Sequence, residues 1–264
     1  MTDDTLPVHG GNVARAAELY GGDASDYLDF SANINPLGPP ERVVTYLREC
    51  AADPSRLARY PDVAYGALRR AVAAHEDIDA TSVVVGNGSA ALLGAAIRAV
   101  RPQSCLLPLP AFSEYAYALR AAGVRTIPFE LSAAANFQID VDDFISALKR
   151  HRPDLCIVNN PHNPSGNMLP AQSLRAIVRS AHAIDVTVLV DEAFIDYAPD
   201  ESLTRDAATE TNLIVIRSLT KFYAMPALRV GYAVVAPEHV RAIAAQLPSW
   251  PVSTIAADAA TCAL

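Results

Sequence analysis

The chain is poor in cysteine, with four in 264 residues, and these lie far apart. None forms a C-x-x-C pair and no histidine stands at metal-ligand spacing from them. The sequence therefore predicts reduced thiols, most of them buried, and no metal site. The four are Cys50, Cys105, Cys156 and Cys262.

Basic residues are also scarce, because 21 Lys and Arg stand against 29 Asp and Glu and leave a net charge of −8 at pH 7. A surface that follows a nucleic-acid backbone needs clustered Lys and Arg, and the sequence has no such cluster. We therefore expect no nucleic-acid partner. A local pocket for a small anion remains open.

Long apolar segments are absent too. No window has about 18 uninterrupted apolar residues, and the opening residues 1–7 lack the basic and apolar regions of a secretory leader. The sequence thus predicts no membrane association and, by default, a cytoplasmic location. With 51% hydrophobic and 19% charged residues, the chain can instead bury a large core in one main domain.

Seven short apolar runs alternate with stretches of helical periodicity. Near-continuous β-branched runs separated by helices are typical of a mainly parallel sheet with helices on both faces. We therefore predict an α/β fold in three layers around a seven-stranded sheet. The predicted strands are 82–85, 104–107, 124–129, 155–158, 187–190, 213–216 and 230–235.

The remaining regular elements are helices. A short N-terminal helix should end at Tyr20, before two glycines, and a proline-rich loop follows over residues 31–40. Helical periodicity then covers Glu41 to about Ala51, Ala64 to His75, and Thr254 to Leu264.

The carboxyl ends of parallel strands meet at one edge of such a sheet, where ligands bind. This places the segments that begin at Gly86, Pro108, Asn159, Asp191 and Ser218 around a single crevice. Residues that carry chemistry are therefore expected in these segments.

The stretch Arg217–Tyr232 follows an apolar run and holds Lys221 between hydroxyl residues. A lysine amine condenses with an aldehyde if its surroundings keep it neutral. Ser218, Thr220 and Arg229 are candidates for holding a phosphate beside it. The alternative is a solvated surface lysine next to a polar turn.

The segment Gly86–Ala91 joins a strand to an apolar helix. Its glycines and the helix N-terminus suit a phosphate, because backbone N–H groups point at the anion. The segment also matches G-x-G-x-x-A, and a dinucleotide site would place an acidic residue at the end of the second strand. That strand ends Leu107-Pro108-Leu109-Pro110, which disfavours the dinucleotide. A tight turn without a ligand remains the other alternative.

Three further residues at strand ends are candidates for contacting a flat cofactor. Asp191 ends a buried strand, where a carboxylate needs a cationic partner, and the pyridinium nitrogen of pyridoxal phosphate would be one. The prolines around Asn163 form a rigid turn that can aim its amide inward, toward a phenolate oxygen. Phe112 suits ring stacking. The alternatives are a salt bridge, a plain turn and a core aromatic, and His162 is interpreted as loop surface.

In their order along the chain, from His9 to about Val252, these motifs resemble the fold-type I, aspartate-aminotransferase-like family of pyridoxal-phosphate enzymes. The resemblance implies that Lys221 forms the Schiff base with pyridoxal 5′-phosphate, that Asp191 pairs with the ring nitrogen, and that Asn163 donates to the ring hydroxyl. It also implies stacking by Phe112. The implied phosphate contacts are Gly88, Ser89, Ser218, Thr220 and Arg229.

The resemblance also implies a homodimer with shared sites. Tyr60, in Arg59-Tyr60-Pro61, matches a tyrosine that reaches the neighbouring subunit's cofactor. His9 and Asn33 are candidates for contacting the substrate. For these two, an arm that packs on the dimer is an equal alternative.

Within the family, the segments 9–12, 30–38 and 217–223 resemble the threonine-phosphate decarboxylase branch, and histidinol-phosphate aminotransferase is the near neighbour. Phe194 stands where transaminases of this group commonly have tyrosine, which favours the decarboxylase. The implied reaction converts L-threonine O-3-phosphate to aminopropanol phosphate and CO₂ in cobalamin biosynthesis. Alternatives are amino transfer to 2-oxoglutarate, and a truncated chain that binds the cofactor without turnover.

The resemblance also divides the chain. Residues 1–50 are an arm and a segment on the small-domain side, residues 51–250 are the cofactor-binding large domain, and residues 251–264 begin a C-terminal region. The family's C-terminal small domain, which supplies an arginine for the substrate carboxylate, is largely missing. Ser165 is a milder departure, because threonine is more usual there.

Overall fold

The structure is a computed structural model that describes residues 10–264. Its centre is a seven-stranded sheet with the order β1-β7-β6-β5-β4-β2-β3. The strands are β1 (Val83–Gly86), β2 (Ser104–Leu109), β3 (Arg125–Glu130), β4 (Leu155–Asn159), β5 (Thr187–Asp191), β6 (Leu213–Ser218) and β7 (Gly231–Val235). All seven predicted runs form strands, within one or two residues at their ends.

The sheet is mainly parallel, as predicted. Strands β2 to β6 pair in parallel, and β7 runs antiparallel to both of its neighbours, β1 and β6. Because β6 and β7 are antiparallel neighbours, the loop that joins them lies wholly at the carboxyl end of β6. That loop carries Lys221.

Eleven α-helices accompany the sheet in the described part of the chain. Each helix predicted from the sequence is present, within two residues of its predicted start and end. The helices are α1 (Val13–Tyr20), α2 (Glu41–Ala52), α3 (Pro54–Leu57), α4 (Gly66–Glu76), α5 (Gly88–Val100), α6 (Ser113–Ala121), α7 (Val141–His151), α8 (Ala171–His182), α9 (Thr204–Ala207), α10 (Pro237–Ala244) and α11 (Thr254–Ala263).

Helices cover both faces of the sheet because its strands are apolar on both sides. Along β6, Val215 packs with residues of α4, α7 and α8, whereas Ile214 and Ile216 pack with residues of α5, α6 and α10. This alternation follows from the two-residue repeat of a strand. The result is a three-layer α/β/α architecture, as expected.

A buried charged cluster lies on the α4 side of the sheet. Arg217 of β6 makes ion pairs with Asp196 at 2.7 Å, Glu76 at 3.0 Å and Glu192 at 3.6 Å. Tyr232 donates a hydrogen bond to Glu76. Burial raises the pKa of Glu192 to about 7, against the opposing charge of Arg217. One cation thus stands among three carboxyl groups inside the protein.

The first and last long helices pack together. Arg42 of α2 donates to the carbonyl oxygen of Ala263 at 2.5 Å, and Tyr46 donates to Asp258 at 2.8 Å. Within residues 10–264, every helix is too short or too polar to cross a membrane.

Candidate active site

A cleft of about 710 Å³ opens at the carboxyl ends of the strands, where the sequence placed it. It collects side chains from segments more than a hundred residues apart. The predicted residues that line it are Asn33, Ser89, Phe112, Asn163, Asp191, Thr220, Lys221 and Arg229. Phe194 also lines it.

One corner of the cleft is built for an anion. The helix α5 begins at Gly88, whose φ is +73°, and a Cβ there would lie 2.7 Å from Nη2 of Arg229. Only glycine therefore lets Arg229 lie against the helix N-terminus, where free N–H groups also favour negative charge. Behind this corner, the buried Ser218 and Thr220 hydroxyls share a hydrogen bond of 2.7 Å.

Lys221 is half-buried on the same side of the cleft. Burial lowers the pKa of its amine and the charge of Arg229 lowers it further, whereas Asp191 opposes this shift. A larger share of the amine is therefore neutral at a given pH than for a solvated lysine. The neutral amine is the form that attacks an aldehyde.

The shift of Lys221 is testable through its reactivity. In the chain without cofactor, labelling of Lys221 by an amine-directed reagent should show a midpoint below the ordinary lysine value of 10.5. Asp191→Asn should lower the midpoint further, and Arg229→Gln should raise it, because each removes one charge of known sign. Peptide mass spectrometry across pH measures the midpoints. A wild-type midpoint at 10.5, or shifts of the opposite sign, would contradict the electrostatic account.

Asp191 is buried and held from three directions. Tyr115 donates to its Oδ2 at 2.7 Å, and the backbone N–H of Ala193 donates to its Oδ1 at 3.0 Å. Asn159 donates to its backbone carbonyl oxygen at 2.8 Å. Burial raises the pKa of Asp191, and the two donors and Lys221 oppose that rise. The carboxylate is therefore oriented and in need of a cation.

Tyr115 was not predicted from the sequence, where it is one aromatic residue within the helix α6. It is buried, and its ring also meets Phe112 edge-on at a centroid distance of 5.7 Å. Burial and the neighbouring Asp191 raise the pKa of Tyr115, so that its hydroxyl stays protonated and donates. It connects the acidic residue with the aromatic residue of the cleft.

Removing the Tyr115 hydroxyl tests this contact. Tyr115→Phe should weaken binding of a cofactor that needs an ionised Asp191 by about tenfold, the effect of one hydrogen bond to a charged group. The loss should grow as pH falls, because the pKa of Asp191 rises when a donor is removed. Tyr117→Phe, at an exposed position on the same helix, is the control. Equal affinities for the two variants would show that the bond has no role.

The turn after β4 differs from its predicted form at one residue. Asn163 lines the cleft, and its backbone N–H donates to the side chain of Asn159 at 2.6 Å. The interpretation of His162 as loop surface was wrong. His162 is buried, with its ring nitrogens 2.8 Å from the Ser165 hydroxyl and 3.0 Å from the Pro110 carbonyl oxygen, and burial lowers its pKa. It ties this turn to the end of β2.

Tyr60 does not face the cleft of its own chain. It is 80% exposed, and its ring lies 4.7 Å from that of Trp250, between centroids. His9 lies outside the described residues. The roles assigned to individual residues from the sequence therefore stay predictions, although most of the residues do come together.

The comparisons with known proteins agree with this geometry. The family model of aminotransferase class I and II matches residues 25–264. The chain belongs to this family. Threonine-phosphate decarboxylase of Salmonella typhimurium is 35% identical over 97% of the chain and 70% of its own length. Histidinol-phosphate aminotransferase of Thermoanaerobacter sp. is 32% identical over 77% of the chain and 56% of its length.

Solved structures show the same fold. Histidinol-phosphate aminotransferase from Clostridium acetobutylicum has a TM-score of 0.79 at 30% identity, over 89% of this chain and 68% of that one. L-threonine-O-3-phosphate decarboxylase from Porphyromonas gingivalis has a TM-score of 0.73 at 24% identity, over 88% and 67%. The chain thus spans about two thirds of the proteins it resembles. The family resemblance drawn from the sequence is confirmed.

The family's cofactor is pyridoxal 5′-phosphate, and the described residues fit it. Burial raises the pKa of Asp191, and a pyridinium nitrogen would stabilise the charged form of this carboxyl group. At the Gly88 corner, the Arg229 guanidinium lies against the N-terminus of α5, and both favour a phosphate group. Lys221, with a lowered pKa, faces the same cleft. Asp191, the Gly88 corner and Lys221 therefore suit three different parts of the cofactor, which are the ring nitrogen, the phosphate and the aldehyde.

Proposed function

We propose that this chain carries the cofactor-binding part of a pyridoxal-phosphate-dependent decarboxylase that acts on L-threonine O-3-phosphate and releases CO₂ and aminopropanol phosphate. The observation that carries this is the 35% identity to a threonine-phosphate decarboxylase over 97% of the chain. Phe194 in the cleft supports it, because it brings no hydroxyl toward the cofactor. The pathway we propose is cobalamin biosynthesis, since a bifunctional adenosylcobalamin-biosynthesis protein of Leptospira interrogans is 33% identical.

The residues of the cleft would have separate roles in holding the cofactor and in moving the proton. When bound, pyridoxal phosphate supplies an electron-withdrawing ring that accepts the electron pair released as CO₂ departs. Asp191 keeps the ring nitrogen protonated, and Phe112 and Asn163 hold the ring plane and its hydroxyl. Ser89, Thr220 and Arg229 hold the phosphate. Lys221 anchors the cofactor and then carries the proton to the substrate carbon.

Orientation decides between the two reactions of the family. The residues that hold the substrate against the ring would decide which bond at its α-carbon is broken, the bond to the carboxylate or the bond to hydrogen. Histidinol-phosphate aminotransferases share the fold and the family, so amino transfer to 2-oxoglutarate is the second candidate.

The deciding experiment supplies the chain with pyridoxal phosphate and L-threonine O-3-phosphate. We expect CO₂ and aminopropanol phosphate. Formation of glutamate from 2-oxoglutarate without CO₂ would replace the decarboxylase with the aminotransferase. A yellow protein that performs neither reaction would be a cofactor-binding chain without turnover. A protein that takes up no cofactor would overturn the proposal.

We further propose a homodimer with shared active sites and a cytoplasmic location. The exposed Tyr60 and Trp250 support the dimer, because exposed aromatic side chains in contact with each other are typical of a contact surface. Sedimentation should give twice the chain mass of 28.1 kDa. If the sites are shared, mixing inactive Lys221→Ala and Tyr60→Ala chains should restore about a quarter of wild-type turnover in the mixture, because about half of the dimers are mixed and each of these has one complete site. No recovery on mixing would mean that each chain completes its own site.

A further inference from the structure

Asn35 fastens the N-terminal part of the chain to the loop that carries Lys221. Its backbone N–H donates to the carbonyl oxygen of Lys221 at 3.1 Å. Its side-chain Nδ2 donates to the carbonyl oxygen of Phe222 at 2.8 Å, across 187 residues of sequence. Two consecutive carbonyl groups at the reactive lysine are therefore bound by one residue.

The same side chain also closes a local turn. Its Oδ1 accepts a hydrogen bond from the Leu37 N–H at 3.1 Å, and its backbone carbonyl oxygen accepts one from Gly38 at 3.2 Å. Asn35 thus uses its acceptor within the turn and its donor toward the lysine loop. The two roles lie on different atoms, so substitutions can separate them.

The residues just before Asn35 form one wall of the cleft. Ser31, Ala32 and Asn33 line it, as does Gly10. A Cβ on Gly10 would lie 2.0 Å from the carbonyl oxygen of Ser31, so only glycine permits this approach. The Gly11 N–H then donates to the Ser31 hydroxyl at 2.8 Å. We call residues 29–38 the arm wall.

We propose that Asn35 is a positioning residue that couples the arm wall to Lys221 and thereby sets the part of the cleft that faces the substrate. This rests on the cofactor role proposed for Lys221. The Lys221 carbonyl oxygen keeps a second donor, the Ala224 N–H at 3.1 Å, so the loop retains its own turn when Asn35 is replaced. What the substitution removes is the contact that holds the arm wall at a fixed position relative to the amine of Lys221.

The coupling can be measured without cofactor or turnover. Asn35→Ala removes both side-chain hydrogen bonds, and loss of the bond to Phe222 alone should make amide hydrogen exchange in residues 29–38 about fivefold faster. Asn35→Asp keeps the acceptor for Leu37 but has no donor for Phe222, so its exchange should also be about fivefold faster than that of the wild type. Leu37→Ala, at an 89% exposed position, should match the wild type. Unchanged exchange in α2 would show that the fold is intact.

A role confined to the turn gives the opposite pattern. Asn35→Asp would then match the wild type while Asn35→Ala would not, and the proposal would be overturned. Wild-type exchange in both Asn35 variants would overturn it as well.

The consequence for ligands is measured separately. With pyridoxal phosphate bound, the dissociation constant of L-threonine O-3-phosphate should rise about fivefold in both Asn35 variants, whereas that of the cofactor should stay within about twofold. Equal weakening of both ligands would contradict a role at the substrate side. If the wild type binds no L-threonine O-3-phosphate, the proposed function fails, and the exchange experiment still decides the coupling.

Discussion

Lys221→Ala should abolish covalent attachment of pyridoxal phosphate and the yellow absorbance that accompanies it. The chain contains two lysines, Lys149 and Lys221, which makes the assignment unambiguous. Lys149 is exposed on α7, whereas Lys221 lies in the cleft. Turnover should fall at least about a thousandfold, because anchoring and proton transfer are lost together.

Borohydride reduction followed by peptide mass spectrometry measures the attachment directly. In the wild type the reduced cofactor should be found on the peptide that contains Lys221. Lys149→Ala should retain both the absorbance and the label. A label on Lys149, or a yellow Lys221→Ala protein, would remove Lys221 from its proposed role.

Arg217→Met should lower the free energy of unfolding by about 3–5 kcal/mol, the cost of leaving a buried ion pair without one partner. Arg217 is 2% exposed, and its loss leaves Glu76, Glu192 and Asp196 without a cation inside the protein. Urea denaturation measures the change. Arg175→Met is the matched control, because Arg175 pairs with Asp206 at 2.8 Å on the surface, where such a pair contributes about 0–1 kcal/mol.

A second substitution tests the electrostatic origin of this loss. Adding Glu192→Gln to Arg217→Met removes one of the uncompensated carboxyl groups, so the double variant should recover part of the stability. If Arg217→Met costs no more than Arg175→Met, the cluster is not held together by charge. If Glu192→Gln adds to the loss, packing rather than repulsion dominates.

The sheet was predictable because six of its seven strands are almost wholly buried, the edge strand β3 being the exception. Such strands are nearly continuous apolar runs, as in 187–190 and 213–216, and such a run can be recognised without knowing which strands lie next to it. The antiparallel direction of β7 had no such signal, because an apolar run reads the same for either direction. Strand order was equally out of reach, since it depends on contacts between distant segments.

The cofactor side of the site was predictable for a different reason. Asp191 ends β5, whereas Lys221 and Asn163 follow β6 and β4 in short loops, and the carboxyl ends of parallel strands share one edge. Tyr115 and Asn35 act through contacts that cross much of the chain, and neither has a distinctive local pattern. The burial of His162 was mispredicted because the sequence of a proline-rich turn does not distinguish an exposed histidine from a buried one.

Arg217 shows that a step of one residue along a strand changes the face of the sheet on which a side chain lies. It precedes Ser218 directly and was interpreted as part of one cofactor-anchoring stretch. Successive side chains of a strand point to opposite faces, so Arg217 lies in the charged cluster on the α4 side, away from the phosphate corner. The charged cluster and the cofactor site therefore lie on opposite faces of the strand β6.

Several hydrogen bonds join the early and late parts of the described chain. Asn35 reaches Phe222 and Tyr65 reaches Val252, each across 187 residues, while Glu76 meets Tyr232 across 156. Contacts of such high sequence separation form slowly, because the intervening loop must close first. During synthesis, the early segments must therefore wait for residues beyond 220 to leave the ribosome. We expect pyridoxal phosphate to be captured only after the segment that contains Lys221 and Arg229 has been synthesised.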